Sequence, residues 1–381
     1  MIRLSCTRGN LYTGLSITSH LPVKNVNLPI LNNVLILAKN GTIRFTSTNL
    51  ELAVSCQIRG KVEEEGECTL PSKLLFDYVS LLPNERVDFL EEDNHVLRIE
   101  CGTFKTKIKG LPATEFPLIP PVTAETAYRI KGEVFRRALS QVLFAAASNE
   151  ARPELSGIFL HFRSGKNGEK EAVFAATDSY RLAEARVEVV LDGGPEETSV
   201  IVPARALAEV NRILSVFKDD VESPSDLVIR LSEQQAVFSY GTVELISRTI
   251  DGKYPDYRQI IPQAFQTEVV VDRDDLLKAV KTASLFSRAG LFDVTVRFDP
   301  EGTASVTAVD ASRGENTTSC PAKVSGPVQS ISLNYRYLLD GLQAVETEAV
   351  RFRMIDGSNP CMIEPEGSAT PYQYLIMPIR V

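Results

Sequence analysis

Apolar and polar positions along the chain follow two periods. Between 132 and 148, Phe135, Ala138, Leu139, Val142 and Leu143 fall on one helical face. The sets Leu207, Val210, Leu214, Phe217 (204–218) and Leu276, Leu277, Val280, Ala283 (274–288) do the same. Between them, runs such as Leu227-Val228-Ile229-Arg230-Leu231 and Val350-Arg351-Phe352-Arg353-Met354 alternate or are β-branched, which predicts strands. The order helix, strands, helix, strands predicts α+β domains, each with two helices on one face of antiparallel strands.

That order occurs three times. A strand-like run closes on a small polar cluster at Thr48-Asn49, at Thr177-Asp178 and at Val309-Asp310. A strand runs straight into a helix at Cys68–Lys73, Val200–Arg205 and Ile331–Arg336. A hairpin turn recurs as Gly102-Thr103, Gly241-Thr242 and Gly367-Ser368. Equivalent points lie about 130 residues apart, a domain's length rather than a solenoid unit's. Pro-rich links, Phe116-Pro117-Leu118-Ile119-Pro120-Pro121 and Tyr254-Pro255-Asp256-Tyr257, follow the first two hairpins and are absent after the third. The expected domains are 1–123, 124–263 and 264–381.

Charge adds a distribution to this picture. The net charge of −8 argues against a protein that coats nucleic acid. Yet Lys73, Arg136, Arg137, Arg205, Arg212, Lys218, Lys278, Lys281, Arg288 and Arg336 gather on the expected helices. The acidic clusters Glu63-Glu64-Glu65, Glu91-Glu92-Asp93 and Glu196-Glu197 fall in expected loops. Such segregation can give an acidic protein one electropositive face, suited to a phosphate backbone read without sequence preference. For any single residue, a solvated surface charge is the simpler reading. A basic residue just after each strand-to-helix junction (Lys73, Arg205, Arg336) is harder to set aside.

The chemistry of a catalyst is thin. His20, His95 and His161 stand far apart, and no nucleophile elbow, zincin or phosphate-loop motif occurs. Thr177-Asp178 could be a catalytic pair, but the same spot in the other copies suggests an Asx side chain closing a turn. The six scattered cysteines contain no Cys-x-x-Cys pair, which argues against a disulfide framework or zinc site. No cofactor or metal is expected. The N-terminus lacks a basic segment before an apolar core, and no apolar run would span a bilayer, so a cytoplasmic protein is expected.

Four segments carry a resemblance: Leu28–Ile36, Ala176–Ala183, Asp251–Arg258 and Tyr374–Val381. Together, in order and across the whole chain, they resemble the bacterial sliding clamps, the β subunit of DNA polymerase III. The resemblance implies three clamp domains, and a head-to-tail homodimer closing six of them into a ring around duplex DNA. It also implies partners: the replicative polymerase and the clamp loader, docking short peptides. Carried over, the docking cleft is Leu155, Thr177, Ser179, Tyr180, Leu182, Pro255, Gln259, Ile260, Asn334, Tyr337, Leu375, Met377, Pro378, Ile379 and Arg380. Ser179-Tyr180 stands where the family often has Gly-His, and Gln259 where Arg is common.

For DNA, Lys24, Lys73, Asn149, Arg152 and Arg205 match family contact regions, and the helix cations Arg136, Arg137, Arg212, Lys278 and Lys281 join them. Pro153-Glu154 replaces a tyrosine pair found in some members. For the dimer interface, Lys105, Lys107 and Ile108 would face Leu285 and Phe286 of a second copy. The acidic cluster some members place there is reduced to Glu315, so an interface held more by apolar contact than by charge is expected. Two further readings are an α+β hydrolase or transferase using Asp178 and His161, and a specialised second clamp with an altered cleft.

Overall fold

Six α-helices lie among the described residues, two per repeat: α1 Arg8–Thr18, α2 Ser72–Ser80, α3 Gly132–Val142, α4 Ala204–Val216, α5 Arg273–Ser284 and α6 Tyr335–Ala344. The computed structural model describes every residue except 23–26, 121, 123–125, 149–151, 166–167, 194, 196, 218–224, 233, 369 and 381. Helices α3, α4 and α5 stop short of the windows expected for them, 132–148, 204–218 and 274–288. After Val142 the chain tightens into the 3-10 turn Leu143–Ala145, and α5 closes on Leu285. Helices α2, α4 and α6 each follow a strand without a loop, as the junction pattern predicts. At α6 the Asn334 side chain accepts from Arg336 N–H, and at α5 Asp272 accepts from Asp275 N–H, each satisfying an end donor.

The chain forms two units. One comprises Met1–Glu133, Val190–Pro195 and Glu209–Thr249; the other comprises Val134–Val189, Glu196–Ala208 and Ile250–Val381. Two units rather than three arise because neighbouring repeats share sheets.

The first unit holds a five-stranded sheet ordered Lys61–Glu64, Arg3–Thr7, Arg86–Glu92, Val96–Cys101, Phe104–Lys109. Its nine-stranded sheet runs Val190–Leu191, Thr126–Lys131, Asp226–Leu231, Gln235–Tyr240, Val243–Arg248, Leu52–Ile58, Thr42–Thr48, Asn33–Lys39, Gly66–Pro71. The second unit has one twelve-stranded sheet. Its order is Thr198–Pro203, Gly157–Ser164, Lys170–Thr177, Arg181–Glu188, Tyr372–Ile376, Cys361–Pro365, Ala349–Met354, Thr267–Asp272, Gly314–Ser325, Thr303–Asp310, Asp293–Asp299, Gln329–Asn334.

The repeats are fused by pairing of equivalent strands. Leu52–Ile58 of the first repeat pairs antiparallel with Val243–Arg248 of the second, from Leu52↔Ser247 to Cys56↔Val243. Arg181–Glu188 of the second pairs with Tyr372–Ile376 of the third, from Arg181↔Ile376 to Ala185↔Tyr372. Each joint sets the strand after one repeat's Asx turn against the hairpin strand of the next. The three hairpin glycines Gly102, Gly241 and Gly367 all have positive φ (55°, 58° and 71°), the region a tight hairpin needs and a side chain resists.

A third equivalence concerns sheet edges. The strand that feeds the second helix of each repeat lies at a sheet edge, and the segment after each hairpin covers it. Thr69 bridges Leu111, Ile250 N–H donates to Ile201 O at 2.8 Å, and Ile379 N–H donates to Ser332 O at 2.8 Å. The first connector also packs apolar groups: Phe116 lies on Ile30 and Leu31, with Leu111 and Ile119 beside them. In the second unit, Tyr254 and Tyr257 of the other connector join Leu155, Leu182, Met362 and Leu375 in one buried cluster.

Candidate functional site

The polar clusters that close the repeated strands are turns. Thr48 Oγ1 donates to Leu52 O (3.0 Å) and accepts from Leu50 N–H (3.1 Å), while Asn49 Oδ1 accepts from Glu51 and Leu52 N–H. Thr177 Oγ1 donates to Arg181 O (2.6 Å) and accepts from Ser179 N–H (3.1 Å), while Asp178 Oδ1 accepts from Tyr180 and Arg181 N–H. The third copy, with Val309, retains the Asp310 bond to Ser312 N–H at 2.8 Å. Asp178 and His161 keep separate company. Asp178 pairs with Arg181 at 3.0 Å, and His161 with Glu197 at 2.8 Å. Among the described residues no hydrogen bond joins the two.

The second turn lies at the mouth of the expected cleft, all within the second unit. Leu155, Leu182 and Leu375, expected at its floor, are buried in one cluster, with Thr177 buried in the turn. Ser179, Tyr180, Gln259, Ile260, Met377 and Arg380 are exposed at its rim, and Pro255, Asn334, Tyr337, Pro378 and Ile379 are half-buried. Tyr180 is 64% exposed, and its carbonyl accepts from Met377 N–H at 2.9 Å. Ser179 sits at φ +78°, a conformation that favours glycine. Beneath the turn, Arg181 pairs with Asp178 (3.0 Å) and Asp340 (2.5 Å), and its guanidinium lies 4.3 Å over the Tyr337 ring. Sequence reasoning missed Arg181 and Asp340. The Asp178-to-Arg181 spacing was visible, but Asp340 lies far along the chain.

The basic residues divide by what holds them. Lys73, Arg205, Lys278 and Lys281 are exposed on α2, α4 and α5, with Lys278 Nζ 3.4 Å from Asp275 Oδ1. Arg212 is not available in the way expected. It chelates Glu209 (2.6 and 3.0 Å) and donates to Ser16 O and Ile17 O at the end of α1, so it caps a helix. Arg137 is likewise tied to Glu346 (3.1 Å) and Thr370 (2.9 Å). Arg136 is half-buried, and Arg152 pairs with Glu154 at 3.1 Å. Lys24 and Asn149 lie outside the described residues.

Of the expected interface residues, Leu285 is 67% exposed, Phe286 is half-buried, and Glu315 is exposed. Ile108 departs from expectation: it is only 5% exposed, committed to its own sheet. Strand alternation puts Phe104 on the same face, and Phe104 is 46% exposed where the sheet's cover ends. Lys105 and Lys107 are answered within their own sheet, by Glu100 at 3.6 Å and Glu92 at 2.6 Å. Among the described residues no group of three or more His, Cys, Asp or Glu is placed to hold a metal, and no helix is long and apolar enough to cross a membrane.

Three copies of one α+β domain, fused through shared sheets, define a repeat scaffold. Models of the DNA polymerase III beta subunit match the chain throughout: the N-terminal domain at 2–120, the central domain at 129–256 and the C-terminal domain at 258–380. The beta sliding clamp of Synechococcus elongatus is 33% identical over the full length of both chains, and that of Synechocystis 30%. Solved clamps from Pseudomonas aeruginosa and Bartonella birtlesii, each bound to griselimycin, superpose over the full length of both chains at TM-score 0.91, with 25% and 28% identity. The chain belongs to the DNA polymerase III β-subunit family, the bacterial sliding clamps, which are processivity factors rather than catalysts.

Proposed function

We propose that two copies of the chain close head to tail into a six-domain ring that encircles duplex DNA and tethers the replicative polymerase. One observation carries the reading. Two of the three equivalent joints are made within the chain, by Leu52–Ile58 with Val243–Arg248 and by Arg181–Glu188 with Tyr372–Ile376. The strands equivalent to the missing joint are Phe104–Lys109, at a sheet edge, and the first part of Gly314–Ser325, paired on one side only. A head-to-tail contact between two copies supplies that joint twice, and two equal contacts close the ring.

The register of the first joint sets that of the third. Leu52 is equivalent to Arg313 and Ser247 to Ile108, so Arg313 of one copy would oppose Ile108 of the other. Phe104 would then oppose Thr317 and be covered, together with Leu285. Because Lys105 and Lys107 already face acids in their own sheet, the contact should respond weakly to salt. Sedimentation at rising salt tests this: a stable dimer is expected. A monomer, or a dimer lost steeply with salt, contradicts the reading.

For DNA, the exposed Lys73, Arg205, Lys278 and Lys281 are the contacts we assign, weak enough to let a topologically held ring slide. Retention on nicked circular but not linear DNA is the expected result; equal loss from both refutes encirclement. Peptides of the polymerase and clamp loader would dock on the floor of Leu155, Leu182 and Leu375, past Tyr180, Ile260 and Met377. Griselimycin, bound by two similar clamps, is a ready ligand to test for binding to this chain. The domains are taken as 1–123, 124–263 and 264–381, and the site of action as the cytoplasm.

A further inference from the structure

Helices α1 and α2 of the first repeat meet along an aromatic seam that ends in an exposed histidine. Tyr12 of α1 stacks on Phe76 of α2 with ring centroids 5.4 Å apart, and the Arg8 guanidinium lies 4.6 Å from the centre of the Tyr12 ring. Past the end of α1, Ser19 Oγ donates to Ser72 O at 3.5 Å, and the His20 ring meets the Phe76 ring edge-on at 5.7 Å. Two contacts, to Ser72 and to Phe76, thus hold this segment against the turn of α2 that carries Lys73. His20 and Lys73 are both exposed. Among the described residues neither side chain is committed to a hydrogen bond or an ion pair. The neighbouring arginines are committed: Arg8 donates to Val79 O and Ser80 O, and Arg212 to Ser16 O and Ile17 O.

We propose that His20 and Lys73 together seat one phosphate of the DNA backbone. The proposal rests on the DNA reading above and adds to it a residue whose charge can change. Imidazolium and ammonium present only donors, the complement of phosphate oxygens. The Tyr12–Phe76 stack is the ledge that keeps the imidazole at the surface.

The charges around the ring decide when it carries a proton. From α4, Arg212 disfavours the charged form and Glu209 favours it, and the two pair with each other at 2.6 Å. From α2 come Lys73 and the exposed Asp77, and from α1 comes Arg8. The turn after Thr48 adds the uncharged Asn49, which donates to Pro22 O at 3.2 Å, and the exposed Glu51. Burial first and Arg212 second hold His20 below the usual histidine range, with Glu209 opposing. In the free chain the ring is therefore neutral at pH 7. A phosphate beside it favours the charged form, so DNA and proton bind together. Affinity then rises as pH falls from the raised value in the complex to the lowered value in the free chain.

The test is histidine-selective NMR of the full-length chain at low salt, alone and with an excess of short duplex DNA. With duplex, the His20 midpoint should move up by about half a pH unit or more, and the displacement should vanish at about 1 M salt. His161, 8% exposed, is the internal reference. Lys73→Gln should shrink the displacement, because the phosphate loses its second partner. An unmoved His20, an equal displacement at His161, or a displacement that Lys73→Gln leaves unchanged overturns the inference. So does an equal displacement by inorganic phosphate alone, which marks a seat for the free anion.

Anisotropy of labelled duplex reads binding separately. The slope of log affinity against log salt should be steeper at about pH 5.5 than at about pH 8, by about 0.9 for each added contact. His20→Gln should keep the shallower slope at both pH values; an acid slope as steep as the unmodified chain's overturns the inference. Duplex bound with His20 unmoved overturns the inference alone. No duplex bound at any pH, even at low salt, overturns the DNA reading and this inference with it.

Discussion

Replacing Thr177 by valine keeps the side chain's shape and removes only its hydroxyl. That hydroxyl donates to Arg181 O at 2.6 Å and accepts from Ser179 N–H at 3.1 Å, at a site 6% exposed. No cavity forms, so the cost is that of two backbone groups left without a partner. At about 1 kcal/mol for each bond, and more for a group stranded out of water, Thr177→Val should cost about 2–3 kcal/mol. The first repeat supplies a replicate, because Thr48 makes the same two bonds at 3.0 and 3.1 Å and is 3% exposed. The third supplies a control: Val309 occupies the position and is 54% exposed, so Val309→Thr should gain almost nothing. Urea unfolding followed by circular dichroism reads all three, with the midpoint moving at constant slope. A shift below about 0.5 kcal/mol for Thr177→Val would refute the turn argument. So would a cost for Thr48→Val that differs severalfold.

Ser179→Gly relieves a left-handed residue at φ +78°. The strain of about 1–2 kcal/mol outweighs glycine's loss of about 0.5–1 kcal/mol in the unfolded chain, so a higher urea midpoint is expected, and a lower one contradicts the strain. His20 is held below the usual histidine range by burial and then by Arg212, with Glu209 opposing. Its folded value lies below its unfolded one, so its contribution is complete above about pH 6.5 and is lost as pH falls through the folded value. His20→Gln should flatten the stability-versus-pH curve there; an unchanged slope would count against it. All six cysteines are buried, and burial pushes the Cys6, Cys56 and Cys361 thiols up to about 12. Ellman's reagent should therefore find no rapidly reacting thiol in the native chain and six after denaturation; one fast native thiol would contradict this.

Local rules made much of the fold legible. Hairpin glycines, Asx turns and strand-to-helix junctions are short-range devices whose partners lie within a few residues, so the sequence displays them. Helix α1 is less visible. Its Gly14 packs so closely that a Cβ would meet Ile58 at 2.7 Å and Phe45 at 3.0 Å, a contact made by smallness rather than by apolar period. The strand Gly314–Ser325 alternates exposed and half-buried polar residues along most of its length, so periodicity does not separate it from a loop. Arg137 and Arg212 read as surface cations because their partners Glu346, Thr370, Ser16 and Ile17 are distant in sequence. Ile108 and Phe104 share a face by alternation, but which of them is covered depends on packing that no short window contains. The cleft residues came from resemblance. Apart from that constellation, Leu375 and Leu182 are indistinguishable from ordinary core.

The pairing of Leu52–Ile58 with Val243–Arg248 also sets a timetable for synthesis. The first of these strands leaves the ribosome about 200 residues before its neighbour, which at about 5–20 residues per second is an interval of roughly 10–40 seconds. Throughout that interval its outer backbone groups, flanked by Val54 and Cys56, have only solvent or another nascent chain to bond. Arg181–Glu188 waits similarly for Tyr372–Ile376. Each of the first two repeats is thus born with a bare edge that the following repeat completes, and the growing chain carries a recurrent window of exposure to misassembly.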